Sequence, residues 1–202
     1  LKSKNFEIVS VAEDSGGAAA AGPSIQAAKP DYTVLIDQAH VVTRLYDLVN
    51  VPTGIWIDER GRIVRPPEVA YVDERFKVFH NLDAAPYLQA LRDWVEKGDK
   101  SEFRLPDNEL KRLMSPQDPQ HSLASAEFAL GEYLFSKNLG TDAIPHFKEA
   151  QRLNPDNWNY KRQAWALSDS KRDYGTTFWD EVKKLEGKPY YAPRHLPKEK
   201  KP

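Results

Sequence analysis

Hydrophobic positions in the first half of the chain come in short runs of strand length, separated by stretches at helical spacing. Residues 6–12 (FEIVSVA) are apolar on both faces and rich in branched side chains, which predicts a buried strand in a parallel sheet. Residues 32–36 (YTVLI) predict a second strand. Asp37 is placed to cap a helix over 38–48, whose Val41, Val42, Leu45 and Leu48 share one face. Residues 54–57 (GIWI) and 62–64 predict a hairpin across the turn Asp58-Glu59-Arg60-Gly61, stopped by Pro66 and Pro67. Asp83 and Pro86 open another helix, with Tyr87, Leu88, Leu91, Trp94 and Val95 along one side and Gly98 at its end. Between the first two strands, residues 13–30 carry Gly16, Gly17, Gly22, Pro23 and four consecutive alanines. That composition predicts a mobile surface insertion with at most a short helix at 23–29.

After Gly98 the pattern changes. Residues 99–121 are polar and hold Pro106, Pro116 and Pro119, which reads as a linker with one short helix near 108–113. Beyond it only helical spacing remains, at 122–137, 141–153, 157–167 and 177–185, with turns at Leu139-Gly140 and Asn154-Pro155. The Pro- and Lys-rich stretch 187–202 reads as a frayed tail. The organisation expected is therefore an α/β part over 1–98, a linker over 99–121, an all-α part over 122–186 and a tail.

Composition narrows the function classes. The 29 Lys+Arg against 30 Asp+Glu leave a net charge of −1, without the basic excess of a general nucleic-acid binder. No apolar run approaches the ~20 residues of a membrane-spanning helix. The absence of cysteine excludes a disulfide, a cysteine-ligated metal and a thiol nucleophile from these 202 residues.

Leu130-Gly131, Ala143, Phe147, Ala150 and Pro155 fall in one register, and that register resembles the tetratricopeptide repeat. The repeat's first-helix aromatic is replaced by Glu127, and Leu134 stands where it has tyrosine. One repeat, followed by two helices acting as a degenerate second unit or cap, is too short for a free-standing solenoid. The segments FEIVSVAED, YTVLID and LYDLVNVPTGIWIDERGRIV resemble the C-terminal half of a thioredoxin-like redoxin domain of the TlpA/ResA/AhpC-TSA type. The resemblance spans about residues 1–98. It implies that Val51-Pro52 is a cis bond, and that Val51, Pro52 and Thr53 form the loop that lies against the redox-active cysteine and pairs with a bound peptide.

The same resemblance exposes a departure. In that family a first strand and helix carry Cys-x-x-Cys or a single reactive Cys, the helix N-terminus stabilising thiolate. Only five residues precede Phe6. The family's missing strand lies between those matching 6–12 and 53–58. Unpaired buried backbone groups, at roughly 1–3 kcal/mol each, would exceed a domain's net ~5–15 kcal/mol. The expectation is a thiol-disulfide oxidoreductase or redoxin whose cysteine or selenocysteine lies upstream, the absent strand coming from upstream residues or another chain. The alternative is a non-catalytic thioredoxin-like scaffold that holds a protein partner through the repeat-like helices. The resemblance is compatible with extracytoplasmic and cytosolic relatives alike.

Within the chain no residue is assigned a catalytic role, and no cofactor or metal is implied. Val51, Pro52 and Thr53 are the candidate site. His40, His80, His121, His146 and His195 show no metal-ligand spacing and read as structural. Asp37, Asp58 and Glu59 read as cap and turn residues, and Gly16-Gly17 lacks phosphate-loop spacing. The tryptophans 56, 94, 158, 165 and 179 read as core, and Lys198, Lys200 and Lys201 as a solvated tail.

Overall fold

A computed structural model describes residues 2–74, 77, 82–114, 118–192 and 194–196. The chain is mixed α/β, with two small sheets and several helices. It divides into two compact units, each built from separate stretches: Leu1–Glu7, Val51–Pro116 and Gly187–Pro202 in the first, Ile8–Asn50 and Gln117–Glu186 in the second.

In the second unit, β1 (Val9–Glu13) and β2 (Thr33–Asp37) pair in parallel from Val9↔Thr33 to Glu13↔Asp37. The connection between them is α1 (Gly17–Ala28), so the stretch expected as a mobile insertion is a twelve-residue crossover helix. Its alanines favour helix more than they favour surface loop, and the parallel pair requires a crossover of this kind. Strand β1 is not buried as expected: Val9 is 56% exposed, and Leu35 on β2 is 52% exposed. The helix expected over 38–48 is shorter, α2 (Val41–Tyr46). Its N-cap is His40 and not Asp37, although the Asp37 carboxylate accepts a hydrogen bond from Val42 N–H in the first turn at 2.6 Å. The face expected to be buried includes Leu45, which is 75% exposed.

The helices of this unit are α5 (Pro119–Ser136), α6 (Gly140–Leu153), α7 (Trp158–Leu167), α8 (Ser170–Tyr174) and α9 (Phe178–Lys183). A three-residue connection folds α6 back along α5. Ala124, Phe128, Ala143, Phe147, Ala150, Leu153, Tyr160 and Ala164 form their common core. Small residues let the backbones approach, so that a Cβ on Gly131 would lie 2.7 Å from the Phe147 ring. Phe128 stacks on Tyr160 at 4.6 Å between centroids. The start of α7 also grips the segment after α2. Trp158 N–H donates to Val49 O at 2.7 Å, and Asn159 Nδ2 donates to Leu48 O at 2.7 Å. These bonds explain why 8–50 belongs with the helices.

In the first unit, β3 (Thr53–Ile57) and β4 (Ile63–Val69) form an antiparallel hairpin. Asp58 organises the turn: its Oδ1 accepts from the N–H groups of Arg60 and Arg62, and Gly61 takes the left-handed φ of 74°. Pro66 and Pro67 do not stop the second strand, which runs through both. They sit where the register slips between Gly54↔Glu68 and Trp56↔Arg65, an irregularity that asks no ladder hydrogen bond of them. The helix α3 (Ala84–Lys97) starts at Asp83 and stops at Gly98 (φ 55°), as expected. Its first N–H, however, is satisfied by Glu74 Oε1 at 2.9 Å and not by the Asp83 side chain. The short α4 (Asp107–Leu113) follows. Trp56, Val64, Tyr87 and Ala90 make the core, with Trp56 Nε1 donating to Tyr87 Oη at 3.0 Å and Trp94 stacked on Trp56. Trp179, by contrast with the core role expected of it, is 59% exposed.

The stretch after Gly187 is docked where it is described. Leu196 packs on the Trp56 cluster, and Arg194 Nη2 donates to Asp83 O at 2.7 Å. His195 donates its N–H to Glu68 Oε1 at 2.6 Å. Lys198, Lys200, Lys201 and His80 lie outside the described residues.

Candidate functional site

The loop singled out in the sequence, Val51-Pro52-Thr53, enters β3 in the first unit, and the Val51–Pro52 bond is cis. Pro52 is exposed, with Val51 and Thr53 half-buried beside it. Both carbonyls ahead of the strand are engaged. Pro52 O accepts from Ala70 N–H at 3.1 Å, and Val51 O accepts from Tyr191 Oη at 3.0 Å. Tyr71 Oη lies 2.8 Å from Tyr191 Oη; since the Tyr191 proton goes to Val51, Tyr71 is the donor in that pair. A side chain from the docked C-terminal stretch therefore holds the Val51 carbonyl.

A second constellation, absent from the sequence reading, lies in the other unit. His40 sits between β2 and α2 with a left-handed φ of 50°, 1% exposed, its ring edge-on to Phe128. Its Nδ1 is 3.3 Å from Glu13 Oε2, and its Nε2 is 3.2 Å from Glu132 Oε1 on α5. Ser15 Oγ lies 2.9 Å from His40 Nε2 and donates to Glu132 Oε1 at 2.9 Å. The turn that presents Ser15 is tightly specified. Gln163 of α7 donates to Glu13 O at 2.9 Å and accepts from Ser15 N–H at 3.1 Å. Gly17 has φ 62°, and a Cβ there would meet Gln38 Oε1 at 2.6 Å. Gly16-Gly17 is thus a structural turn, not a flexible stretch.

The order Glu13–His40–Ser15 follows the acid–base–nucleophile sequence of a hydrolytic triad, but its protons run the wrong way. Ser15 has one hydroxyl proton, and it is directed at Glu132. Its oxygen then accepts from Nε2–H, so His40 cannot take the serine proton in this arrangement. Burial alone would lower the His40 pKa, but the Glu13 and Glu132 carboxylates, with Asp37 farther off, outweigh it and hold the imidazole above 6.5. Burial pushes the Glu132 carboxyl up, against the pull of His40 and the Ser15 hydroxyl. The arrangement is a buried imidazole between two carboxylates that favour its charged form.

Two other histidines have carboxylate partners. His146 Nδ1 on α6 is 2.7 Å from Glu127 Oε2 on α5, a polar tie across the helical pair. His195 Nδ1 is 2.9 Å from Glu68 Oε1, and Glu68 also holds the fully buried Arg65 through two-point contact. Arg65 Nη1 donates in turn to Phe103 O at 2.6 Å. Among the described residues no group of three or more His, Asp or Glu side chains is arranged to hold a metal ion. None of the described helices is long and apolar enough to cross a membrane. No protein-family model, curated protein or solved structure matches the chain.

Proposed function

We propose that these residues are the part of a thioredoxin-like redox domain that follows its reactive thiol or selenol, joined to a tetratricopeptide-like helical pair that holds a protein partner. The observation that carries this reading is the state of the two sheets. Each has two strands only among the described residues, so β1 and β3 each have one bonded neighbour. Apolar side chains on these strands face outward: Val9 on β1, Leu35 and Ile36 on β2, and Ile57 on β3. An open strand edge beside apolar side chains is a template for a further strand, and natural sheets rarely leave one uncovered. A strand supplied from outside these residues would satisfy both needs. The helix that follows it in such a domain would bring the reactive cysteine or selenocysteine, and these 202 residues include no cysteine.

In this reading the Val51-Pro52-Thr53 loop borders the reactive atom and receives the partner's backbone. Tyr191 would have to release Val51 O before a peptide could pair there. The test is disulfide or peroxide reduction by the native polypeptide that contains this chain. Turnover lost on replacing its cysteine supports the reading, and no turnover with either substrate counts against it. The competing scaffold reading draws on the absence of cysteine and on Leu123, Leu130 and Tyr133, which leave an apolar strip exposed along α5. An inactive native polypeptide that still binds a protein through α5 would favour it.

A further inference from the structure

Five elements of the second unit converge on one buried imidazole. The end of β1 contributes Glu13, the turn into α1 contributes Ser15, α5 contributes Glu132 and Phe128, α7 contributes Gln163, and His40 itself opens α2. We infer that His40 is a proton-operated clasp that fastens the end of β1 to α5, closed when both ring nitrogens carry hydrogen and opened when the ring gives up one of them. The inference concerns groups within one compact unit and stands apart from the redox reading.

The geometry sets what the ring charge compensates. In the doubly protonated ring Nε2–H donates to Ser15 Oγ, whose own proton goes to Glu132. Nδ1 faces Glu13 Oε2 at 3.3 Å. Neither carboxylate oxygen of Glu13 has a hydrogen-bond donor among the described residues, although its side chain is 5% exposed. The imidazolium charge is therefore what compensates Glu13, and a buried carboxylate that loses its partner is strongly destabilised. A neutral ring, whichever nitrogen keeps its hydrogen, no longer supplies that charge.

The surrounding charges reinforce the effect. Glu13 from β1, Asp37 from β2 and Glu132 from α5 all act on His40, and the cation nearby, Arg44 of α2, acts on Glu132. Loss of the imidazole proton leaves carboxylates in excess at the junction, which loosens the hold of α5 on the end of β1 and its turn. Because the folded state holds His40 above 6.5, the clasp's contribution is fully present below that value. It is lost as pH rises through the higher folded value. Glu132, also raised, works in the same direction.

The experiment is a ring-proton NMR titration of the intact 202-residue chain, with His40 assigned from the signal missing in His40→Gln, and amide exchange followed on the same samples. The expected midpoint for His40 lies above 6.5. Through the same pH range the Ser15 and Gly17 amides, bonded to Gln163 Oε1 and Asp14 O, should lose protection relative to amides of α6. In Glu13→Gln the midpoint should fall, because burial then meets less opposition. A midpoint at or below 6.5, a midpoint unmoved in Glu13→Gln, or a titration that leaves Ser15 and Gly17 protection unchanged would overturn the clasp. Should a variant fail to fold, the wild-type titration and exchange decide, with His40 assigned through bond correlations.

Discussion

A Cβ on Gly131 would stand 2.7 Å from the Phe147 ring, which is itself locked among Phe128, Ala143 and Ala150. Replacing Gly131 by Val should therefore strain the α5–α6 contact, costing about 1–3 kcal/mol for overpacking, read as a lower urea midpoint. Arg65 offers a contrasting case. It is fully buried, and Glu68 receives two of its nitrogens, so Arg65→Ala leaves a buried carboxylate with less compensation. A loss of about 3–5 kcal/mol is expected by the same measurement. The first of these sites was legible in the sequence, because the spacing of Gly131, Ala143, Phe147 and Ala150 has one packing solution. The His40 cluster was not. Its members come from four separate stretches, and nothing local marks His40 as buried or Glu13 as unpaired. The one available signal was an acid, Glu13, directly ending an apolar strand pattern.

Helices and strands were legible in kind more often than in extent. The bounds of α3 at Asp83 and Gly98, the turn at Asp58 and the helices α5 and α6 follow from residues within each stretch, and all are present. The misread elements depend on distant partners. The alanine-rich stretch becomes α1 because a parallel pair must be bridged, and β4 continues through two prolines because its register slips opposite them. Two element-level outcomes follow. Asn157 caps α7, its Oδ1 accepting from Tyr160 N–H at 3.2 Å while buried, so Asn157→Ala should cost about 0.5–2 kcal/mol of thermal or urea stability. Leu45, the most exposed of the apolar side chains on α2, should tolerate Lys within about 0.5 kcal/mol in this chain by itself. If the native polypeptide covers that face, the same substitution there should destabilise by more. Comparing the two unfolding curves distinguishes a covered face from an open one.

At the scale of the molecule, the helical pair is well closed around Phe128 and Phe147, and α7 is tied to the 48–49 segment by direct hydrogen bonds. Among the described residues the two sheets have two strands each, with outward apolar side chains, fewer than the three or more that usually give independent stability. The account proposes that the shortfall is made up by a strand and helix bearing the reactive atom. Its most direct test is the mass of the native polypeptide before and after reduction and alkylation. The account predicts about 50–100 additional residues, the size of a strand–helix unit with its lead-in loops. It also predicts alkylation at a cysteine or selenocysteine that begins a helix. A native polypeptide that takes up no alkylating agent would contradict it.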